Sequence, residues 1–276
     1  MIKEKILFIG GGNMTRAMIT GLLVHGFASE NIYVVDRNQD KRDFLSNTFK
    51  VHVSNNPHEF LSIADIVILA IKPQGAHDVC KAFNDDLKKC APLVISVMAG
   101  VTLGKLNEWL GDHLAIVRAA PNTPAMIQEG VTGLFANSQM TQSQRDIVEK
   151  IISSMGIFAW VPEEKIMNAI TALSGSGPAY YFYFMEIMQE VAITLGIPSQ
   201  IAKNFAIQTG YGATKLALES GEDLAKLRAQ VTSKKGTTEA ALSVMKDRGL
   251  PLVFHDALTA AYDRALELSD PTSSKS

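Results

Sequence analysis

Residues 231–238 read VTSKKGTT, set between two stretches with helical patterning, LAKLRAQ before and EAALSVMKD after. Ser, Thr and Gly compete with helix by bonding backbone groups locally, so a break of this composition has a chemical purpose. The hydroxyls of Ser233, Thr237 and Thr238, with Thr232 and Gly236 around two lysines, fit two tasks. One is capping the next helix, for which a single Ser or Thr suffices. The other is holding an anion at that helix's N-terminus, where free N–H groups and the helix dipole favour negative charge.

A second anion candidate is FIGGGNMTRAM near the N-terminus. Gly10 would end a strand, Gly10-x-Gly12 would make a tight turn, and Asn13 and Met14 would open a helix whose N–H groups can bind a pyrophosphate. Two of the three glycines of a dinucleotide fingerprint are present, with Thr15 at the third position. A plain Gly-rich connection is the alternative. The dinucleotide reading gains weight from Asp36, 24 residues past Gly12 (36 − 12), where an acidic residue would hold the adenosine ribose. Arg37 and Asn38 follow at once, and a basic residue there suits a 2′-phosphate. Asp36 thus argues for NAD and Arg37 for NADP. Asp36 can also cap a helix starting near Gln39.

These groups need a frame that aims them. The first half alternates β-rich runs, KILFIG, NIYVVD, DIVILAI, PLVISVM and LAIVRAA, with helical segments such as TRAMITGLLVHG and VTLGKLNEWLG. The alternation predicts βαβ units and a doubly wound, Rossmann-type parallel sheet covered on both faces, a fold of the α/β class. In such a sheet the ligand lies outside the carboxyl ends of the strands. That places Lys72 and Pro73 after one strand and Ala99 and Gly100 after another beside the ligand. The segment RAAPNTPA, residues 118–125, would be a loop stiffened by Pro121 and Pro124 that presents Asn122 and Thr123, or else a rigid interdomain crossing. After about residue 163 long helical stretches replace the strands. The expected domains are therefore 1–163, dinucleotide-binding, and 164–269, all-helical, with 270–276 as a frayed tail. The helices are apolar all round, which predicts burial against another subunit. In SGSGPAYYFYFMEIM, Ser174, Ser176 and the glycines would break one helix and Pro178 start the next, with the aromatics as core or dimer contacts.

Composition excludes several functions. The 276 residues are 47% hydrophobic and 20% charged, enough for a full core, and the formal charge of −2 includes no basic block suited to nucleic acid. Cys80 and Cys90 suggest neither a disulfide framework nor a zinc site, and the six histidines have no ligand spacing, so no metal is expected. No apolar run reaches the length of a membrane span. The expectation is a soluble cytoplasmic protein.

Taken together, GGGNM, AIKPQ, SVMAGVTL, RAAPNTPA, ALSGSGPAY and VTSKKGTTEAAL occur in the order and approximate spacing of pyrroline-5-carboxylate reductases, and the chain resembles that family over about residues 1–269. The resemblance implies reduction of a cyclic imine to L-proline with NADP(H), or NAD(H), by a homodimer of interlocked helices that assembles further, to a homodecamer. It implies a cofactor set of Gly10, Gly12, Asn13, Met14, Asp36, Arg37, Asn38, Asn56, Ala70, Lys72, Pro73, Ala99, Gly100 and Asn122. It further implies that the hydroxyl-rich loop holds the substrate carboxylate, with hydroxyls from Ser233 and Thr238 and N–H groups from Gly236 and Thr237. Thr238 would act as the catalytic positioner, and Glu222 would orient the ring nitrogen or serve as a solvated helix-start carboxylate. A protonated imine is already electrophilic, so position matters more than a strong acid or base.

The sequence departs from the family at Lys234-Lys235, where Pro-Gly is usual, and at Ala120, often methionine. Losing a fixed φ and a permissive glycine would alter the loop's path, or the two ammonium groups would instead strengthen anion attraction or point to solvent. Two other functions stay open. A β-hydroxyacid dehydrogenase would need a lysine base in EEKIMNAITALSGSG, which offers Lys165 followed by Asn168 and Ala169. A dinucleotide-sensing scaffold would keep the fold without the chemistry.

Overall fold

The computed structural model describes residues 3–269. The first 160 residues build one eight-stranded sheet, with strands β1 (Ile6–Ile9), β2 (Ile32–Val35), β3 (His52–Ser54), β4 (Ile66–Leu69), β5 (Leu93–Ser96), β6 (Ile116–Pro121), β7 (Gly130–Ala136) and β8 (Gly156–Trp160). Their spatial order is β3-β2-β1-β4-β5-β6-β7-β8, and every pairing is parallel except the antiparallel β6–β7. The expected parallel sheet therefore carries one antiparallel joint. The chain leaves β1 toward β2 on one side and returns to β4 on the other, so the crevice at the carboxyl ends of β1 and β4 is the topological switch point.

Helices α1 (Asn13–Val24), α2 (Gln39–Phe49), α3 (His58–Leu61), α4 (Ala76–Cys90), α5 (Leu103–Leu110) and α6 (Gln142–Ser153) clothe the sheet. Alternate strand residues serve opposite faces. Ile6, Phe8, Ile32, Val34, Ile66 and Ile68 pack on α1, α2 and α6, whereas Leu7, Ile9, Val35, Val67, Leu69 and Val94 pack on α3, α4 and α5. Burial on both faces is why these strands read as continuous Val, Ile and Leu: a polar residue on either side would lose water without gaining a partner.

After β8 the chain is helical. A short α7 (Ile166–Ile170) runs into a π-helical turn, Thr171–Gly175, and α8 (Gly177–Thr194), α9 (Ser199–Ser220), α10 (Leu224–Gln230), α11 (Thr237–Asp247) and α12 (Leu250–Ser269) follow. The expected break at Ser174 is instead this wide turn, closed by Ser176 N–H donating to the Thr171 carbonyl at 2.8 Å. Its cause is local: the Ser174 hydroxyl bonds the Ile170 carbonyl at 3.0 Å and the Thr171 hydroxyl the Met167 carbonyl at 2.8 Å, so both compete with the α-helical ladder. π turns of this kind recur at functional sites.

The structure divides into two compact units, Met1–Ser176 with Ala261–Ser276, and Gly177–Ala260. This contact division falls later than the expected 163/164 boundary and returns the end of α12 to the first unit. The expected frayed tail, 270–276, lies outside the described residues. In the second unit α8 buries only Gly177, α9 only Ala202 and Ala206, and α10 and α11 nothing. Tyr181, Phe182 and Tyr183 are each about 63% exposed. No helix among the described residues is long and apolar enough to cross a membrane.

Candidate active site

Gly10 follows β1 with φ +106°, a backbone open to glycine, and a side chain there would meet the Ala70 carbonyl oxygen at 2.5 Å. Gly10 and Ala70 thus stand side by side at the switch point, Ala70 tied to β1 by its N–H to the Ile9 carbonyl at 2.9 Å. Gly12 is the N-cap of α1 and offers no side chain, and the N–H groups of Asn13 and Met14 have no acceptor among the described residues. A Cβ on Gly12 would meet nothing within 4 Å. Open space in front of an uncapped helix N-terminus fits a pyrophosphate. Thr15, at the third fingerprint position, is fully buried and donates its hydroxyl to the Gly10 carbonyl at 2.5 Å, which locks the turn.

Asp36 braces this turn from the end of β2. One carboxylate oxygen accepts the Gly11 N–H at 2.8 Å and the Lys41 ammonium at 3.3 Å, and the other accepts the Asn38 N–H at 2.8 Å. Burial alone would raise its pKa, but those donors, the Asn38 and Gly11 N–H groups and then Lys41, outweigh burial and hold the carboxyl below its ordinary value. Asp36 does not cap α2. Asn38 does, accepting the Lys41 N–H at 2.9 Å on its side-chain oxygen. Arg37 is exposed and has no hydrogen-bond or ion-pair partner among the described residues.

The other expected cofactor residues divide into exposed and engaged ones. Asn56, just past β3, and Lys72 and Pro73, past β4, are exposed at the carboxyl edge of the sheet, as is Ala99 past β5. Gly100 has φ +73°, and a Cβ there would come within 3.1 Å of Leu268, so its small size serves close packing on α12. RAAPNTPA is not a loop: Ala119–Pro121 extend β6, with Pro121 as its last residue opposite Thr132, and Thr123–Ile127 form a 3₁₀ turn. Strand geometry tolerates proline at an end, and β7 supplies the pairing that the sequence pattern did not reveal. Asn122 is buried. It accepts the Val131 N–H at 2.9 Å and donates to the Ser174 carbonyl at 3.0 Å, tying β7 to the π turn.

The second unit holds the hydroxyl loop. Thr232 bonds back to the Arg228 carbonyl at 2.6 Å and finishes α10. Gly236 is the N-cap of α11, with no side-chain cap bond, and its N–H donates to the Ser233 carbonyl at 3.0 Å. The hydroxyls of Ser233, Thr237 and Thr238, and the N–H groups of Thr237 and Thr238, have no partner among the described residues. A side chain on Gly236 would collide with the Ser233 hydroxyl. The loop is therefore not an ordinary cap: three hydroxyls and two leading N–H groups remain free at one helix N-terminus. Lys235 carries φ +60°, the conformation a glycine adopts without strain, and its N–H donates to the Glu239 carboxylate at 2.6 Å. That bond, unforeseen from sequence, ties the loop to the first turn of α11. Glu222 pairs with Lys226 at 2.6 Å.

Lys165 is exposed and paired with Glu163 at 2.6 Å, and that bond raises its pKa. A lysine kept protonated in this way is unsuited to act as a base.

Comparison with known proteins agrees with this arrangement. The family model "Pyrroline-5-carboxylate reductase dimerisation" matches residues 164–268, and "NADP oxidoreductase coenzyme F420-dependent" matches residues 5–100. The pyrroline-5-carboxylate reductase of Pseudomonas aeruginosa is 37% identical over 98% of both chains, and that of Haemophilus influenzae 38% over 97% of this chain and 98% of its own. Among solved structures, a pyrroline-5-carboxylate reductase from Coxiella burnetii superposes with TM-score 0.93 at 42% identity, covering 98% of this chain and 100% of that one. The Plasmodium falciparum enzyme, solved with NADP bound, gives TM-score 0.87 at 26% identity, covering 98% of this chain and 100% of its own. With a sheet that ends in an open glycine turn, a helix that begins in free hydroxyls, and relatives matched end to end, the chain belongs to the pyrroline-5-carboxylate reductase family.

Proposed function

We propose that this chain is an NAD(P)H-dependent pyrroline-5-carboxylate reductase, which reduces the C=N bond of 1-pyrroline-5-carboxylate to give L-proline, the last step of proline biosynthesis. The observation that carries the reading is the start of α11, where the Ser233, Thr237 and Thr238 hydroxyls and two N–H groups have no protein partner. A small carboxylate accepts bonds of this kind, charge-assisted and favoured by the helix dipole.

A reduced nicotinamide held here would supply a hydride to the carbon of the protonated imine, whose π electron pair would return to the ring nitrogen, which keeps the proton it already carries. The protein's part is placement. The turn at Gly10–Gly12 and the N–H groups of Asn13 and Met14 receive the pyrophosphate, with Asn56, Lys72, Pro73 and Ala99 along the rim. Ser233, with the Gly236–Thr238 backbone, holds the substrate carboxylate, and the Thr238 hydroxyl positions the ring. Glu222 is engaged with Lys226, which favours the helix-start role over contact with substrate. The exposed aromatics of α8 and the sparse burial in α9 to α11 favour a homodimer that covers these helices, assembling further into a decamer, in the cytoplasm. The functional boundary is placed at 163/164, supported by the dimerisation match from residue 164.

The test is oxidation of NADPH and NADH by purified protein with pyrroline-5-carboxylate, using a 2-keto acid as control. Imine-dependent turnover on the order of 1–10 s⁻¹ is expected. Turnover with the keto acid alone would overturn the assignment.

A further inference from the structure

We infer that Glu164 is a positioning residue for hydride transfer: its carboxylate holds the loop between β5 and α5, and with it Ala99 and Gly100, at the carboxyl edge of the sheet. The inference rests on the reductase reading above and adds a residue to it. Glu164 lies between β8 and α7, where the helical part of the chain begins. One of its oxygens, Oε1, accepts both the Leu103 N–H at 2.8 Å and the Arg118 guanidinium at 3.0 Å. Leu103 is the first residue of α5, and Arg118 stands in β6 opposite Ser96 of β5. A single carboxylate therefore joins three segments that lead to the carboxyl edge.

The Arg118 side chain is only 4% exposed, and Glu164 is its one partner among the described residues. A buried cation is costly unless paired, so Arg118 dictates where the carboxylate sits, and the carboxylate in turn fixes Leu103. The loop ahead of Leu103 has little other freedom. Met98 and Val101 are buried, Gly100 at φ +73° lies against Leu268, and Ala99 is the exposed tip. The rim that Ala99 and Gly100 present is thus set from beneath by two buried side chains and from its far end by Glu164. Hydride transfer needs donor and acceptor carbons in close register, and a misplacement of about 1 Å costs on the order of 100-fold in rate.

Two double variants test the role, since both remove the two charges and they differ only in the acceptor. Arg118→Met with Glu164→Gln keeps an oxygen for the Leu103 N–H, whereas Arg118→Met with Glu164→Ala does not. Hydrogen exchange in the cofactor-free protein reads the loop directly. Amides of residues 98–106 are expected to exchange at least about tenfold faster in the Ala variant than in the Gln variant, with β1 and β4 alike in both. With NADPH and pyrroline-5-carboxylate well below Tm, kcat should fall about 100-fold in the Ala variant and less than about tenfold in the Gln variant, while KM for the imine stays within about threefold. Deuterium at the transferred position should give a larger isotope effect on kcat in the Ala variant, because hydride transfer rather than product release then limits the rate. Equal exchange and equal kcat in the two variants would overturn the positioning role and leave the reductase reading standing. Wild-type protein that fails to reduce the imine would overturn that reading and this inference with it.

Discussion

Asn122→Ala separates a structural from a cofactor role for a residue that sequence alone assigns to the dinucleotide. The side chain is 7% exposed and joins the Val131 N–H and the Ser174 carbonyl at 2.9 and 3.0 Å. Truncation orphans both backbone groups, and an unmet buried group costs about 1–3 kcal/mol. Val131 and Ser174 are half-buried, so water recovers part of each bond and the pair is expected to lose about 2–4 kcal/mol. For a domain of this size that lowers Tm by about 4–16 °C. Thermal denaturation followed by circular dichroism, at fixed protein concentration because association shifts Tm, reads the effect. Asn122→Asp keeps an acceptor for Val131 and sets a carboxylate oxygen against the Ser174 carbonyl, so it too destabilises. NADP⁺ affinity well below the new Tm should change less than about threefold. A Tm within about 2 °C of wild type together with a tenfold weaker Kd would refute the reasoning and make Asn122 a cofactor ligand.

Thr238→Ala should raise KM for the imine by about tenfold while NADP⁺ affinity holds, and Ser233→Ala should do the same; unchanged KM in both variants would remove the hydroxyl loop from substrate binding. Thiol titration of the native protein should find Cys90 quickly and Cys80 only after denaturant, since Cys80 is buried and burial pushes its pKa up to about 12. Two fast native thiols would contradict the packing of α4 on the sheet. Asp36 has a lowered folded pKa, so its contribution to stability is present above 3.8 and is lost as pH falls through that value and on through the lower folded one. Asp36→Asn should flatten the acid limb of the stability curve there, and an unaltered limb would show that its three donors do no work.

The five strands that the sequence pattern revealed are those buried on both faces, where Val, Ile and Leu run together. The three that it did not reveal lack this signature. β3 is three residues at a sheet edge, and β8, with Ile157 67% exposed, is the opposite edge. β7 carries Gly130 and Gly133, which read as turn residues, yet a Cβ on Gly133 would meet Ile170 at 2.7 Å. Only tertiary packing explains those glycines. The same distinction runs through the site. The hydroxyl loop and glycine turn were legible because composition and position along the chain specify them. The engagement of Asn122 depends on Val131 and Ser174, 9 and 52 residues away, whose approach no local pattern announces, whereas the π turn and the Glu239 bond to Lys235 are local contacts within four or five residues that the reading by residue type passed over.

The way α12 rejoins the first unit bears on how the chain is made. From Ala261 onward this helix belongs with the sheet: Leu268 fills the space beside Gly100, Lys105 donates to the Ser269 carbonyl at 2.6 Å, and the Ser269 hydroxyl meets Asn168 at 3.1 Å. On a ribosome the sheet strands emerge first and the helix that packs on their domain emerges only after the whole second unit, since synthesis runs from the N-terminus at about 5–20 residues per second. The dinucleotide domain therefore completes its packing only after the 84 residues of the second unit, 177–260 (260 − 176), have been made. A fragment cut after residue 163, or after 176, would contain every strand and still be an unfinished domain.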